Sequence, residues 1–226
     1  MPEQVFPSRE ALDAQLAADI AGQLSAAIAE RDEATLVVSG GSTPAGMFAI
    51  LSNTDLNWEK VTVMLADDRW VPLDHADCNE KMVREQLLVN KAATARLLSL
   101  VRDYPDTEAN LARVKQALAP LNSFDVVVLG MGLDAHTASL FPSSEQIKEG
   151  LGTIEDAIMT SPQTAPHERI TLSRQRIANT HFGALHIVGD NKLAVLGKAV
   201  DDGQRERFPI ASFVGGTDNF TVYWAA

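Results

Sequence analysis

Phe124–Pro142 reads FDVVVLGMGLDAHTASLFP. Val126–Leu129 is a short apolar run rich in β-branched residues, the composition of a strand buried on both faces. It ends in Gly130-Met131-Gly132, where the backbone can turn sharply and approach a ligand without side chains in the way. Asp134 and His136 follow, and the small residues Thr137-Ala138-Ser139 are predicted to open a helix. Open α/β sheets place their ligand sites beyond the C-terminal ends of such strands, so this is where chemistry is expected.

Two other readings compete for these residues. Gly130-x-Gly132-x-x-Ala135 satisfies the dinucleotide fingerprint, which also requires an acidic residue about 20 positions on, after a second strand. The region reached, Glu145–Gly150, is polar and has no strand pattern, so a nicotinamide or flavin site is not expected. In the other reading His136 merely caps a helix and the glycines merely turn the chain. The company of Asp134 and two glycines at a strand end argues for function.

Working outward, apolar residues recur every four positions at Leu12, Leu16, Ile20, Leu24 and Ile28, which predicts an amphipathic helix over 8–31 with Ser8 as its N-cap. Thr35–Ser39 is a β-branched strand, and Gly40-Gly41-Ser42-Thr43-Pro44 follows at once, with Thr43 as N-cap and Pro44 as first helical residue. Strand, paired glycines, two hydroxyls and a helix start together aim several donors at one point, an arrangement suited to phosphate. An ordinary tight βα turn is the alternative.

Val61–Leu65 is a third strand and leads into Asp67-Asp68-Arg69. Either these charges form a surface ion pair, or the acids hold Arg69 over an anion. Asp74, His75, Asp77 and Cys78 share one loop without paired metal-ligand spacing and read as solvated, with no metal site. Asn79 should cap a helix over 80–88. Further strands are expected at 97–100, 158–160, 182–188, 208–213 and 220–224, with a helix over 107–118 and loop over 150–157. Arg169 opens a short apolar run and is either a solvated charge or a second basic ligand. Lys192 falls in the first turn of a helix, the wrong end for the dipole, which suggests that it faces a ligand, a fully solvated lysine being the commoner alternative. Strands alternating with helices predict an α/β fold, a doubly wound, mostly parallel sheet with helices on both faces.

The chain has 226 residues, 46% of them hydrophobic, with no linker or repeat, which predicts one domain over 1–226. Its net charge of −11 argues against nucleic acid or an anionic membrane as partner. An anionic substrate then needs a locally basic pocket. One cysteine, no signal peptide and no long apolar run together predict a cytoplasmic protein.

SGGSTP (Ser39–Pro44), DDRWVP (Asp67–Pro72), LGMGLDAHTASLFP (Leu129–Pro142), ERIT (Glu168–Thr171) and GDNK (Gly189–Lys192) come in the order seen in the 6-phosphogluconolactonases. The chain therefore resembles that family, a relative of the glucosamine-6-phosphate deaminases. It departs from the family at Ala135, where glycine is usual, at Asp68, where glutamate is usual, and at Cys78, where serine is common. If position 135 requires a positive φ, alanine costs on the order of 1 kcal/mol there.

The resemblance implies hydrolysis of 6-phospho-D-glucono-1,5-lactone in the pentose phosphate pathway, without metal or cofactor. His136 would be the general base, kept neutral by a positive helix end, and Asp134 or Asp67 would orient it. Backbone N–H groups around Gly132 would stabilise the oxyanion. Gly40, Gly41, Ser42, Thr43, Arg69, Arg169 and Lys192 would bind the sugar phosphate. The rival readings are a glucosamine-6-phosphate deaminase/isomerase, a hydrolase built on Cys78, and a sugar-phosphate-binding protein without catalysis.

Overall fold

The computed structural model describes residues 3–216 and 220–226. Its centre is β6 (Phe124–Leu129), every residue of which is buried. The near-continuous apolar run has this meaning: β6 lies between β2 (Ala34–Val38) and β9 (Thr180–Val188), parallel to both. Beyond β2 come β3 (Val61–Leu65) and β5 (Arg96–Leu98). Beyond β9 come β10 (Phe220–Ala225) and the edge strand β1 (Glu3–Phe6). The order is β1-β10-β9-β6-β2-β3-β5, with all neighbours parallel and helices flanking the sheet.

Helix α1 (Arg9–Arg31) has Ser8 as its cap, the hydroxyl accepting from Ala11 N at 3.2 Å. Leu12, Leu16, Ile20 and Leu24 form its fully buried stripe. The remaining helices are α2 (Ala45–Asn53), α3 (Asn79–Gln86), α4 (Thr107–Leu118), α5 (Ile147–Gly152), α6 (Arg174–Ala178) and α7 (Asp190–Asp202).

A second sheet, of which the sequence announces only the strand at 158–160, lies at the site. β4 (Asp67–Arg69) pairs antiparallel with β8 (Arg169–Leu172), and β8 with β7 (Ala157–Thr160). Asp67 stands opposite Thr171, and Arg69 opposite Arg169.

Five local expectations are corrected. Thr137-Ala138-Ser139 opens no helix: Ala135 and Ala138 have φ of 64° and 48°, and Thr137 bridges Leu140 in a tight turn. Residues 150–152 are the end of α5 rather than loop. Residues 208–213 hold a 3₁₀ turn (Pro209–Ser212) instead of a strand, since Pro209 cannot donate to a ladder. That turn supports the site from below, Ile210 N donating to Ala135 O at 3.1 Å. Asn79 is the first residue of α3 rather than its cap; the carboxylate of Asp68 takes the capping bonds. Pro44 rather than Thr43 occupies the cap position of α2.

Candidate active site

The end of β2 is stitched to the end of β6 by Ser39, whose hydroxyl donates to Val128 O and accepts from Gly130 N, both at 3.2 Å. The turn 40–43 therefore lies beside Gly130–Gly132. Gly40 has no room for a side chain, because a Cβ there would sit 2.1 Å from Asn79 Oδ1, and Gly41 has φ 91°. Gly40, Gly41, Ser42 and Thr43 form one wall of a cavity of about 290 Å³, a size suited to a small metabolite. Gly132, His136 and Lys192 line it too, as do Asp67, Arg69 and Arg169 from the second sheet.

His136 Nδ1 lies 2.5 Å from Asp134 Oδ1, and the His136 N–H donates to the same oxygen at 3.2 Å. Burial works against the Asp134 charge, but the hydrogen bond and positive charge of His136 outweigh it and hold the carboxyl below its usual range. The imidazole is stacked on Phe141, ring centres 4.0 Å apart. Nδ1 is thus committed to the acid, which leaves Nε2 for chemistry.

The basic groups converge although the chain is acidic overall. Arg69 and Arg169 each bury an Nε that finds no protein partner. Burial first, then the neighbouring charge of Arg69, lowers the pKa of Arg169 from its usual range. Nη1 of Arg69 donates to Asp77 O at 2.5 Å and Nη2 of Arg169 to Pro166 O at 2.9 Å, so both guanidiniums are anchored with donors to spare. Lys192 donates to Met131 O, one residue from Gly132. Burial lowers its pKa against the pull of Asp134.

A strand-end histidine held by an acid, a glycine-hydroxyl turn and three cations around one cavity are the features a sugar-phosphate enzyme needs. Residues 7–224 match the family model described as glucosamine-6-phosphate isomerases/6-phosphogluconolactonase. The chain belongs to this family. It is 41% identical over 226 residues to a 6-phosphogluconolactonase of Pseudomonas aeruginosa, covering 98% of this chain and 93% of that protein. A crystal structure of a 6-phosphogluconolactonase from Shewanella baltica superposes with a TM-score of 0.97 at 40% identity, covering 100% of this chain and 98% of the other. A monomeric glucosamine-6-phosphate deaminase, 19% identical, has a TM-score of 0.84 over 100% of this chain and 97% of its own, and shares the fold.

Within this family's scaffold the structure sorts the expected residues. Asp134, not Asp67, meets His136. Asp67 instead accepts from Ser139 Oγ at 2.5 Å. Gly132 N donates to His136 O at 2.9 Å, so that N–H is not available to an oxyanion. Gly132 matters sterically: a Cβ there would lie 2.2 Å from His136 Nδ1. No helix begins at His136, so the helix end expected there is absent. Asp68 is neither a surface ion pair nor a partner of the Arg69 guanidinium. It is buried, and its oxygens accept from the backbone N–H of Arg69, Asn79 and Glu80. Cys78 is buried outside the cavity lining, its thiol pushed up to about 11 by burial and by Asp68, which removes it as a nucleophile.

Asp77 meets His167 Nε2 at 2.8 Å and, through its N–H, His75 Nδ1 at 3.1 Å. Their ligand atoms lie within 4.8 Å of one another, so the fold brings His167 to loop residues that the spacing alone reads as solvated. Sequence reasoning missed Phe141, Asn79 and His186, all of which line the cavity. Phe141 sits inside the quoted LFP run, and Asn79 follows the Asp68-Arg69 loop; neither carries a signal of its own.

Proposed function

We propose that the cavity is the active site in which this chain hydrolyses 6-phospho-D-glucono-1,5-lactone to 6-phosphogluconate. The turn 40–43, Arg69 and Arg169 receive the phosphate, as backbone donors and guanidiniums do elsewhere. The lactone ring then extends toward His136 and Lys192. Nε2 of His136 takes a proton from water as the water oxygen bonds to C1. When the bond from C1 to the ring oxygen breaks, the same nitrogen returns the proton to that oxygen. Asp134 holds the tautomer and steadies the imidazolium between the two steps.

The observation that carries this reading is the 2.5 Å contact of Asp134 with His136 Nδ1, which turns Nε2 free on a wall shared with Arg69, Arg169 and Lys192. The test is a coupled assay for 6-phosphogluconate with lactone generated in place. His136→Ala should lose about 10²–10⁴-fold in kcat. Near-full activity of that variant above spontaneous hydrolysis refutes the role of His136. Ammonia release from glucosamine 6-phosphate without lactone hydrolysis refutes the reaction. Tight 6-phosphogluconate binding without turnover refutes catalysis.

A further inference from the structure

The first turn of α1 touches the proposed phosphate turn from behind. Arg9 is the first residue of α1, where a cation opposes the helix dipole. Its Nη2 donates to Ser42 O and Thr43 O, both at 2.9 Å. Peptide C=O and N–H groups point in opposite directions across a trans bond. Holding the Ser42 carbonyl toward α1 therefore turns the Thr43 N–H away from α1. Arg9 is in turn steadied by Asp13, Nε to Oδ2 at 3.7 Å.

Asp13 is 3% exposed and sits against the start of α2, since a Cβ on Gly46 would lie 2.1 Å from its Oδ2. On its other side His186, 2% exposed, brings Nε2 to 3.1 Å from Asp13 Oδ1. Neither ring nitrogen of His186 nor that oxygen makes a hydrogen bond within the protein. Leaving buried polar groups without partners is costly, and His186 reaches the wall of the cavity. A chain of three polar side chains thus runs from the surface at Arg9, behind the turn, to the cavity.

We propose that Arg9, backed by Asp13 and His186, is a positioning unit for the phosphate turn and sets the preference for phosphorylated over unphosphorylated lactone. It touches no reacting atom; it acts through the orientation of the peptides at 42 and 43. This rests on the assignment of the turn to the substrate phosphate.

The test compares Arg9→Met with wild type on 6-phosphogluconolactone and on glucono-1,5-lactone. KM for the phosphorylated substrate should rise about tenfold at near-constant kcat, and the ratio of kcat/KM between the two lactones should fall by a similar factor. Asp13→Asn should shift the ratio in the same direction and serves if Arg9→Met does not fold. An unchanged ratio in a folded variant, or a parallel loss on both substrates, overturns the proposal. Inorganic phosphate gives an activity-free arm: it should raise the melting temperature of wild type more than that of Arg9→Met. If wild type hydrolyses neither lactone, the lactonase reading fails, while this melting comparison still decides for or against the Arg9 clamp.

Discussion

Arg69 and Arg169 stand directly opposite each other in the antiparallel pairing of β4 with β8. Like charges in that position destabilise a ladder, and burial adds to the cost for Arg169. The pairing makes sense when an anion sits between the guanidiniums. Arg69→Gln should therefore leave stability within about 1 kcal/mol of wild type, or raise it, while KM for the phosphorylated lactone rises about 10–100-fold. Urea denaturation and steady-state kinetics check the two halves. A large loss of stability with unchanged KM would make Arg69 a structural residue.

Gly132 is the steric gate of the Asp134–His136 pair. A methyl group there would fall 2.2 Å from His136 Nδ1, 2.3 Å from its Cε1 and 2.6 Å from Asp134 Oδ1. No rotamer change of the new group relieves this, so the pair must separate. Gly132→Ala should lower kcat by about 10²-fold, close to the loss in His136→Ala. Combining both substitutions should cost little more than either alone; independent, multiplying losses in the double variant would refute the shared cause.

Ala135 has φ 64°, a left-handed conformation that costs an L-residue about 1–2 kcal/mol. Its N–H donates to Gly132 O at 3.1 Å and its carbonyl accepts from Ile210, so the backbone is held there. Against this, glycine loses more entropy on folding and a buried methyl is given up. These opposing costs nearly cancel, so Ala135→Gly should leave stability within about 1 kcal/mol of wild type and kcat near wild type. A larger shift of the urea midpoint in either direction would contradict it.

The legible parts of this fold are those where local pattern and burial agree. β6 is apolar along its length because it is covered on both faces, and α1 shows its stripe because only one side is buried. Residue type and position singled out the turn 40–43 and the cations at 69, 169 and 192, and the fold brings them to the wall of one cavity. Beyond the strand at 158–160, the second sheet was not legible. Its β4 is Asp67-Asp68-Arg69, and nothing in three charged residues signals a buried strand; partners about one hundred positions away make it one. The turn around His136 departs from the expected helix because alanine gives no sign of positive φ, which both Ala135 and Ala138 adopt. The choice between Asp134 and Asp67 as partner of His136 was likewise a matter of distance, which spacing alone does not fix.

Asp68 caps α3 from another element, its Oδ1 accepting from Arg69 N and Asn79 N at 2.7 Å and its Oδ2 from Glu80 N at 2.9 Å. Even when protonated, a carboxyl keeps an acceptor lone pair on each oxygen, whereas an amide nitrogen accepts nothing and would set a donor against an N–H. Asp68→Asn should cost about 1–3 kcal/mol near pH 4. Burial, working against the three N–H donors, pushes the carboxyl up to about 6 from the ordinary 3.8. The folded state then holds a proton that the unfolded state has released between those values, so wild-type stability falls as pH rises from about 4 to 6. Two pKa units correspond to about 3 kcal/mol at most. The stability gap between wild type and Asp68→Asn should accordingly narrow over that range, as read from urea midpoints at pH 4, 5, 6 and 7. A gap that widens with pH would mean that the N–H donors, rather than burial, govern this carboxylate.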